Sequence, residues 1–86
     1  MMPGNEMDTF IAEKIMGSKV LPFSTDLNAA WIVWQRLNKS HMLSICDSQG
    51  QTEILRWFDS KWPEVIARAQ TGAHALCLAA EVLLTG

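Results

Sequence analysis

The side chains with reactive or titratable chemistry are few: His41, His74, Cys46, Cys77 and scattered carboxylates. General acid–base or nucleophilic catalysis needs several such groups to converge on one reacting atom. A Cys–His pair needs an exposed thiolate beside a histidine. Cys46 and Cys77 instead have apolar surroundings in sequence, where free cysteine behaves as a small hydrophobe, so both are expected as reduced core residues. His74 is expected in the first turn of a helix as a neutral, cap-adjacent histidine. Asp8, Glu13 and Asp26 match neither a calcium loop nor a two-metal carboxylate array, and complementing helix dipoles accounts for them. The five glycines are dispersed as stops and turns rather than gathered into a phosphate loop. The expectation is a protein with no catalytic residues, no metal and no cofactor.

One cluster stands apart. Arg56, Trp57, Lys61, Trp62 and Arg68 place cations and indoles close together in sequence. Guanidinium forks suit phosphate, and indole faces suit a base or a cation–π contact. The candidate ligand-binding residues are therefore Arg56, Trp57, Trp62 and Arg68. Trp and Arg are equally the usual anchors of protein interfaces, and the same residues also suit plain packing with solvated arginines. Trp31 and Trp34 are expected in the core.

These residues must be positioned by short elements. Asn5 with Asp8 three positions on has the form of a helix cap, and Met7, Phe10, Ile11 and Ile15 recur on one face until Gly17. Pro22 biases Leu21 toward extended backbone, and Ser24 offers a second N-cap. Leu27, Ala30, Trp31, Trp34 and Leu37 then follow the helical i, i+3, i+4, i+7 pattern. His41 to Cys46 and Thr52 to Phe58 form two antiparallel strands joined by the loop Asp47 to Gln51. Ile54 and Phe58 share one face and Leu55 and Trp57 the other, so both faces call for cover, from helices or another subunit. Glu64 to Ala69 is ambiguous: Pro63 after a Ser60 cap could open a helix, while alternation of Val65, Ala67 and Ala69 fits a third strand, and local propensity leans helical. Thr71 caps a last helix carrying the stripe Ala73, Leu76, Cys77, Ala80, Leu83 and Leu84.

Length and composition bound the rest. Eighty-six residues make one domain, 1–86, and a chain this short leaves so much surface exposed that self-association is a natural way to hide more of it. Seven Lys plus Arg against nine Asp plus Glu give a net charge of -2 with neither sign in a block. That argues against duplex nucleic acid and membrane surfaces as partners, while leaving a small anionic ligand open. No basic start with an apolar run, and no stretch of about 18 apolar residues, is present, so a cytoplasmic protein is expected.

Three blocks carry a family resemblance: Met7-Asp8-Thr9-Phe10-Ile11-Ala12-Glu13-Lys14-Ile15-Met16-Gly17, Pro22-Phe23-Ser24-Thr25-Asp26-Leu27-Asn28-Ala29-Ala30-Trp31, and Thr71-Gly72-Ala73-His74-Ala75-Leu76-Cys77-Leu78-Ala79-Ala80. In this order and spacing they resemble the phage ABA sandwich domain family. The resemblance implies an α+β fold, an α-β-α sandwich with a small antiparallel sheet of two to three strands and three helices, and tips Glu64 to Ala69 toward strand. It departs from many members between the first two blocks, where only Ser18-Lys19-Val20-Leu21 intervene in place of a longer insertion.

The resemblance also implies a phage context, in which small proteins without an active site commonly bind stoichiometrically. The expected function is a homo-oligomeric, anti-defence binding protein in the host bacterial cytoplasm. It would sequester a nucleotide-derived immune signal, of cyclic ADP-ribose or cyclic oligonucleotide type, between subunits, with Arg56 and Arg68 on phosphate and Trp57 or Trp62 stacking. The alternative is an interaction module or inhibitor that binds a host polypeptide through the same surface.

Overall fold

A computed structural model describes residues 2–57 and 62–85. The expectations attached to Phe58, Ser60 and Lys61 fall outside these residues. Helix α1 (Asn5–Ile11) buries Met7 and Ile11 and runs on through a π-helical turn, Ala12–Met16, to Gly17. Gly17 ends it at φ 59°, a left-handed conformation that costs glycine little.

The expected capping box is not formed. Asp8 is buried, and its Oδ1 accepts hydrogen bonds from the Ser24 backbone N–H at 2.8 Å and the Ser24 hydroxyl at 2.6 Å. The Ser24 Oγ in turn accepts from the Gly4 N–H at 2.9 Å. Ser24 thus ties α1 to the connector rather than capping the next helix. That cap is Asp26, whose side chain accepts from the Asn28 N–H at 3.0 Å and opens α2 (Leu27–Leu37).

The apolar stripe of α2 differs from the expected one. Ala29, Ala30, Val33 and Leu37 are buried and Trp34 half-buried, whereas Leu27 and Trp31 are exposed. The i, i+4 row of Ala29, Val33 and Leu37, joined by Ala30, is the one that other elements meet. Trp31 packs edge-to-face on Trp34 instead of entering the core, with centroids 6.0 Å apart at 82°.

Strands β1 (Leu43–Ser48) and β2 (Gln51–Trp57) form the hairpin, joined at Gln49-Gly50 with φ 52° and 77°. Two successive positive φ values define the type I′ turn that suits the twist of a hairpin. β3 (Pro63–Ala69) pairs antiparallel with β2, giving a sheet of order β1-β2-β3. Glu64 to Ala69 is therefore strand, against local helical propensity. The β2–β3 register shifts between Ile54 and Leu55, so that Ile54 faces Ala67 while Leu55 faces Val65. This bulge lets Ile66 turn into the core as well as Ala67.

Helix α3 (Gly72–Thr85) is capped by Thr71, whose Oγ1 accepts from the His74 N–H at 3.2 Å. It packs on β2 and β3, on α2 and on α1. Small residues make this close approach possible: Ala67 and Ala69 of the sheet meet Ala73, Leu76 and Ala79 of the helix, with Ala30 from α2. A second, contiguous group joins Met7, Ile11, Phe23, Val33, Leu43, Cys77 and Ala80. Among the described residues the fold is α+β, three helices with a three-stranded antiparallel sheet.

Candidate functional site

Strand alternation decides where the candidate residues go. Directly paired residues point to the same side, so Leu43, Ile45, Asp47, Thr52, Ile54, Arg56, Ala67 and Ala69 form one face. Ile54 and Thr52 on that face are buried beneath the helices. Ser44, Cys46, Glu53, Leu55, Trp57, Val65 and Arg68 form the other face, and among the described residues none of these joins a buried core cluster.

Trp57 and Arg68 therefore lie on the open face, and Arg56 on the opposite one, paired with Leu43 and Glu64. Trp62 precedes β3 and is 77% exposed. A single chain brings Trp57 and Arg68 to one surface and sends Arg56 to the other.

The open face is ordered by specific contacts. The Trp57 indole N–H donates to the Ser44 hydroxyl at 2.8 Å, fixing a half-buried ring that alternation alone would leave free to turn. Arg68 donates from Nε to Glu53 Oε2 at 2.7 Å across the β2–β3 pair. Its charge is thus shared with a neighbouring carboxylate, although the Arg68 side chain remains 55% exposed. Leu55 and Val65 lie between the tryptophan and this ion pair along the paired strands, with Val65 exposed.

The two cysteines take opposite positions. Cys77 on α3 is fully buried as expected, and burial, with the nearby Asp8 carboxylate adding to it, pushes its thiol up from 9.0 to about 12. Cys46, expected in the core, is exposed, because its place opposite Glu53 turns it onto the open face. The period-two pattern Ser44-x-Cys46 against Glu53-x-Leu55-x-Trp57 was the signal that could have placed it.

Other candidates stay apart. His41 accepts or donates through Nδ1 with the Ser40 hydroxyl at 3.0 Å in the loop after α2, while His74 sits half-buried in the first turn of α3. Among the described residues no three His, Cys, Asp or Glu side chains are grouped as a metal site. No helix among them is long and apolar enough to cross a membrane.

This order of two helices, hairpin, third strand and apolar helix agrees with the sequence blocks. A family model of the Phage ABA sandwich domain matches residues 8–80. The chain belongs to the Phage ABA sandwich domain family. The match takes in Asp8 and Ser24, which join α1 to the connector, as well as the whole sheet and most of α3. No curated protein and no solved structure matches the chain. In this Phage ABA sandwich domain the sheet face carrying Trp57, Leu55, Val65, Cys46 and the Glu53–Arg68 pair joins no buried core cluster among the described residues.

Proposed function

We propose that this phage-family domain is a non-enzymatic binding protein. It self-associates and holds a nucleotide-derived signal molecule between copies, and so acts as an anti-defence sponge in the host cell. The observation that supports this reading is the open sheet face, where a fixed indole, apolar Leu55 and Val65 and a guanidinium share one exposed surface. Such a mixture is typical of surfaces that become covered by a partner.

The separation of Arg56 from Arg68 bears on how a ligand is held. A phosphate-bearing ligand gripped by both arginines has to be reached from two chains, with Arg68 contributed from the open face of one and Arg56 from the opposite face of the central strand of another. Trp57 or the exposed Trp62 then stacks on the base. Binding a phosphate at Arg68 means exchanging its Glu53 partner for the ligand, and that pairing favours a second reading, in which the same face receives a host polypeptide.

Thermal melting against a panel of cyclic dinucleotides, cyclic oligonucleotides and ADP-ribose derivatives tests the proposal. A ligand present at a hundred times its dissociation constant stabilises by about 2.7 kcal/mol. One class of nucleotide is expected to raise the melting temperature of the native chain, and Arg56→Ala and Arg68→Ala to abolish the rise. A panel with no stabilising member overturns the nucleotide reading, and capture of a host polypeptide that Trp57→Ala releases establishes the second.

A further inference from the structure

On the helix-covered side of the sheet, away from Trp57 and Arg68, a cleft of about 350 Å³ opens between the start of α2 and the edge strand β1. Its lining is Leu27, Trp31, Ile45, Asp47, Thr52 and Gly72, joined at the sheet edge by Cys46, whose pairing with Glu53 places it on the open face. Leu27, Trp31 and Ile45 are large apolar side chains left 47%, 38% and 37% exposed. Folding alone gives no reason to gather three such residues around one opening.

The polar group among them is held in place. Asp47 Oδ1 accepts a hydrogen bond at 2.9 Å from the hydroxyl of Thr52, which is itself buried. Among the described residues that single bond leaves further acceptor positions on the carboxyl group open. The indole of Trp31 is likewise braced, by its edge-to-face contact with Trp34. Among the described residues the lining contains no lysine or arginine, so a phosphate is not what it favours. What fits is a small, flat, uncharged ring that covers apolar walls and turns adjacent N–H donors toward a carboxylate. The size is at the lower end for ligand pockets, suited to a base or nucleoside.

We propose that this cleft binds a guanine-type base, with the ring against Trp31, Leu27 and Ile45 and its N1–H and exocyclic N2–H donating to Asp47. Among the common bases guanine presents two parallel donors on that edge. Adenine, cytosine and uracil each set an acceptor beside the donor, and that acceptor would face carboxylate oxygens. Charge-assisted paired bonds of this kind give both orientation and discrimination. The site lies on the other face of the sheet from the surface in the proposed function and does not rest on it.

The test uses the whole chain labelled with ¹⁵N. Guanosine, which carries no phosphate, is titrated while the four tryptophan indole N–H signals are followed, with Trp31 assigned by Trp31→Phe. Guanosine is expected to shift the Trp31 signal saturably. Inosine, lacking the exocyclic amine, should bind more weakly, and adenosine should leave the signal in place. Asp47→Asn, which sets an amide donor against the ligand's donors, should weaken guanosine by about tenfold or more. Thr52→Val, which removes the bond positioning the carboxylate, should weaken it less, and melting curves check that both variants fold.

An unmoved Trp31 signal, or an affinity unchanged by Asp47→Asn, overturns the proposal. So does tighter binding there by N-acetylarginine amide than by guanosine, which would make the occupant a guanidinium. Phosphate-free guanosine leaves the sheet-face reading untouched, so either proposal can fail alone.

Discussion

The two faces of the sheet are built from alternate residues of the same strands, yet they do different work. Ile54 is fully buried under α3 while Leu55, the next residue, lies half-buried on the open side. The cysteines mark the same division: Cys77 is enclosed between helix and core, and Cys46 meets solvent beside Glu53. One face is committed to folding, with small and branched side chains fitted to α3. The other carries the residues that a folding argument does not require: an indole fixed to Ser44, a cross-strand ion pair and exposed Val65. In a chain this short, a single sheet supplies both a core and an uncovered, chemically mixed surface by alternation alone.

Neighbouring truncations give the largest contrast. Ile54→Ala should cost about 2–5 kcal/mol of stability, since it opens a cavity beneath α3. Leu55→Ala should cost under about 1 kcal/mol at dilutions that hold the monomer, because its side of the sheet has no packed helix among the described residues. Urea unfolding measures both, and equal losses would erase the distinction between the faces.

Asp8→Ala comes next, with an expected loss of about 1–3 kcal/mol, because the buried Ser24 N–H and hydroxyl lose their shared acceptor. Thermal melting reads it, and Asp26→Ala provides the comparison, expected at about 1 kcal/mol for a lost helix cap.

The cysteines sharpen the comparison through pH. At mildly alkaline pH an alkylating reagent should modify Cys46 in the native chain and leave Cys77 untouched, as peptide mass mapping would show. Cys77 holds its proton more tightly folded than unfolded, so its contribution to stability is present below pH 9.0. That contribution is lost as pH rises through about 12. Cys77→Ala should flatten this alkaline decline in stability, while Cys46→Ala should leave it intact.

The smallest effect is expected for Arg68→Ala, below about 1 kcal/mol, since its ion pair with Glu53 is solvent-exposed. A larger loss in urea unfolding would mean that the pair is a structural clamp on β2 and β3 rather than part of a binding surface.

Much of the scaffold was legible in the sequence. The hairpin, the helix from Leu27 and the last helix with its Thr71 cap follow from the sequence, but the turn is Gln49-Gly50 rather than Asp47 to Gln51, and Asp26 rather than Ser24 caps the helix from Leu27. β3 was not decided by its own residues: Glu64, Ala67 and Arg68 favour helix locally, and pairing with β2 overrides them. Ser24 and Asp8 carry ordinary capping signals, but they satisfy each other across the fold, a partnership that local sequence does not encode. Trp31 fits the helical stripe, yet the row that meets α3 and the sheet is centred on Ala30 and Val33, which leaves the indole outside. For the candidate ligand residues, alternation separates Arg56 from Trp57 by a single step along β2. Their closeness in sequence therefore hid their opposite faces.

The proposed function requires the open sheet face to be covered in the working protein, with a nucleotide-derived molecule held there between copies. Native mass spectrometry of the chain, purified gently from bacteria with active nucleotide-based defence, tests it most directly, with Leu55→Arg measured alongside. The native chain is expected as an oligomer that releases an intact small molecule with the mass of a nucleotide derivative, and Leu55→Arg as an empty monomer. An empty monomer for the native chain, or an oligomer that Leu55→Arg leaves loaded, would contradict it.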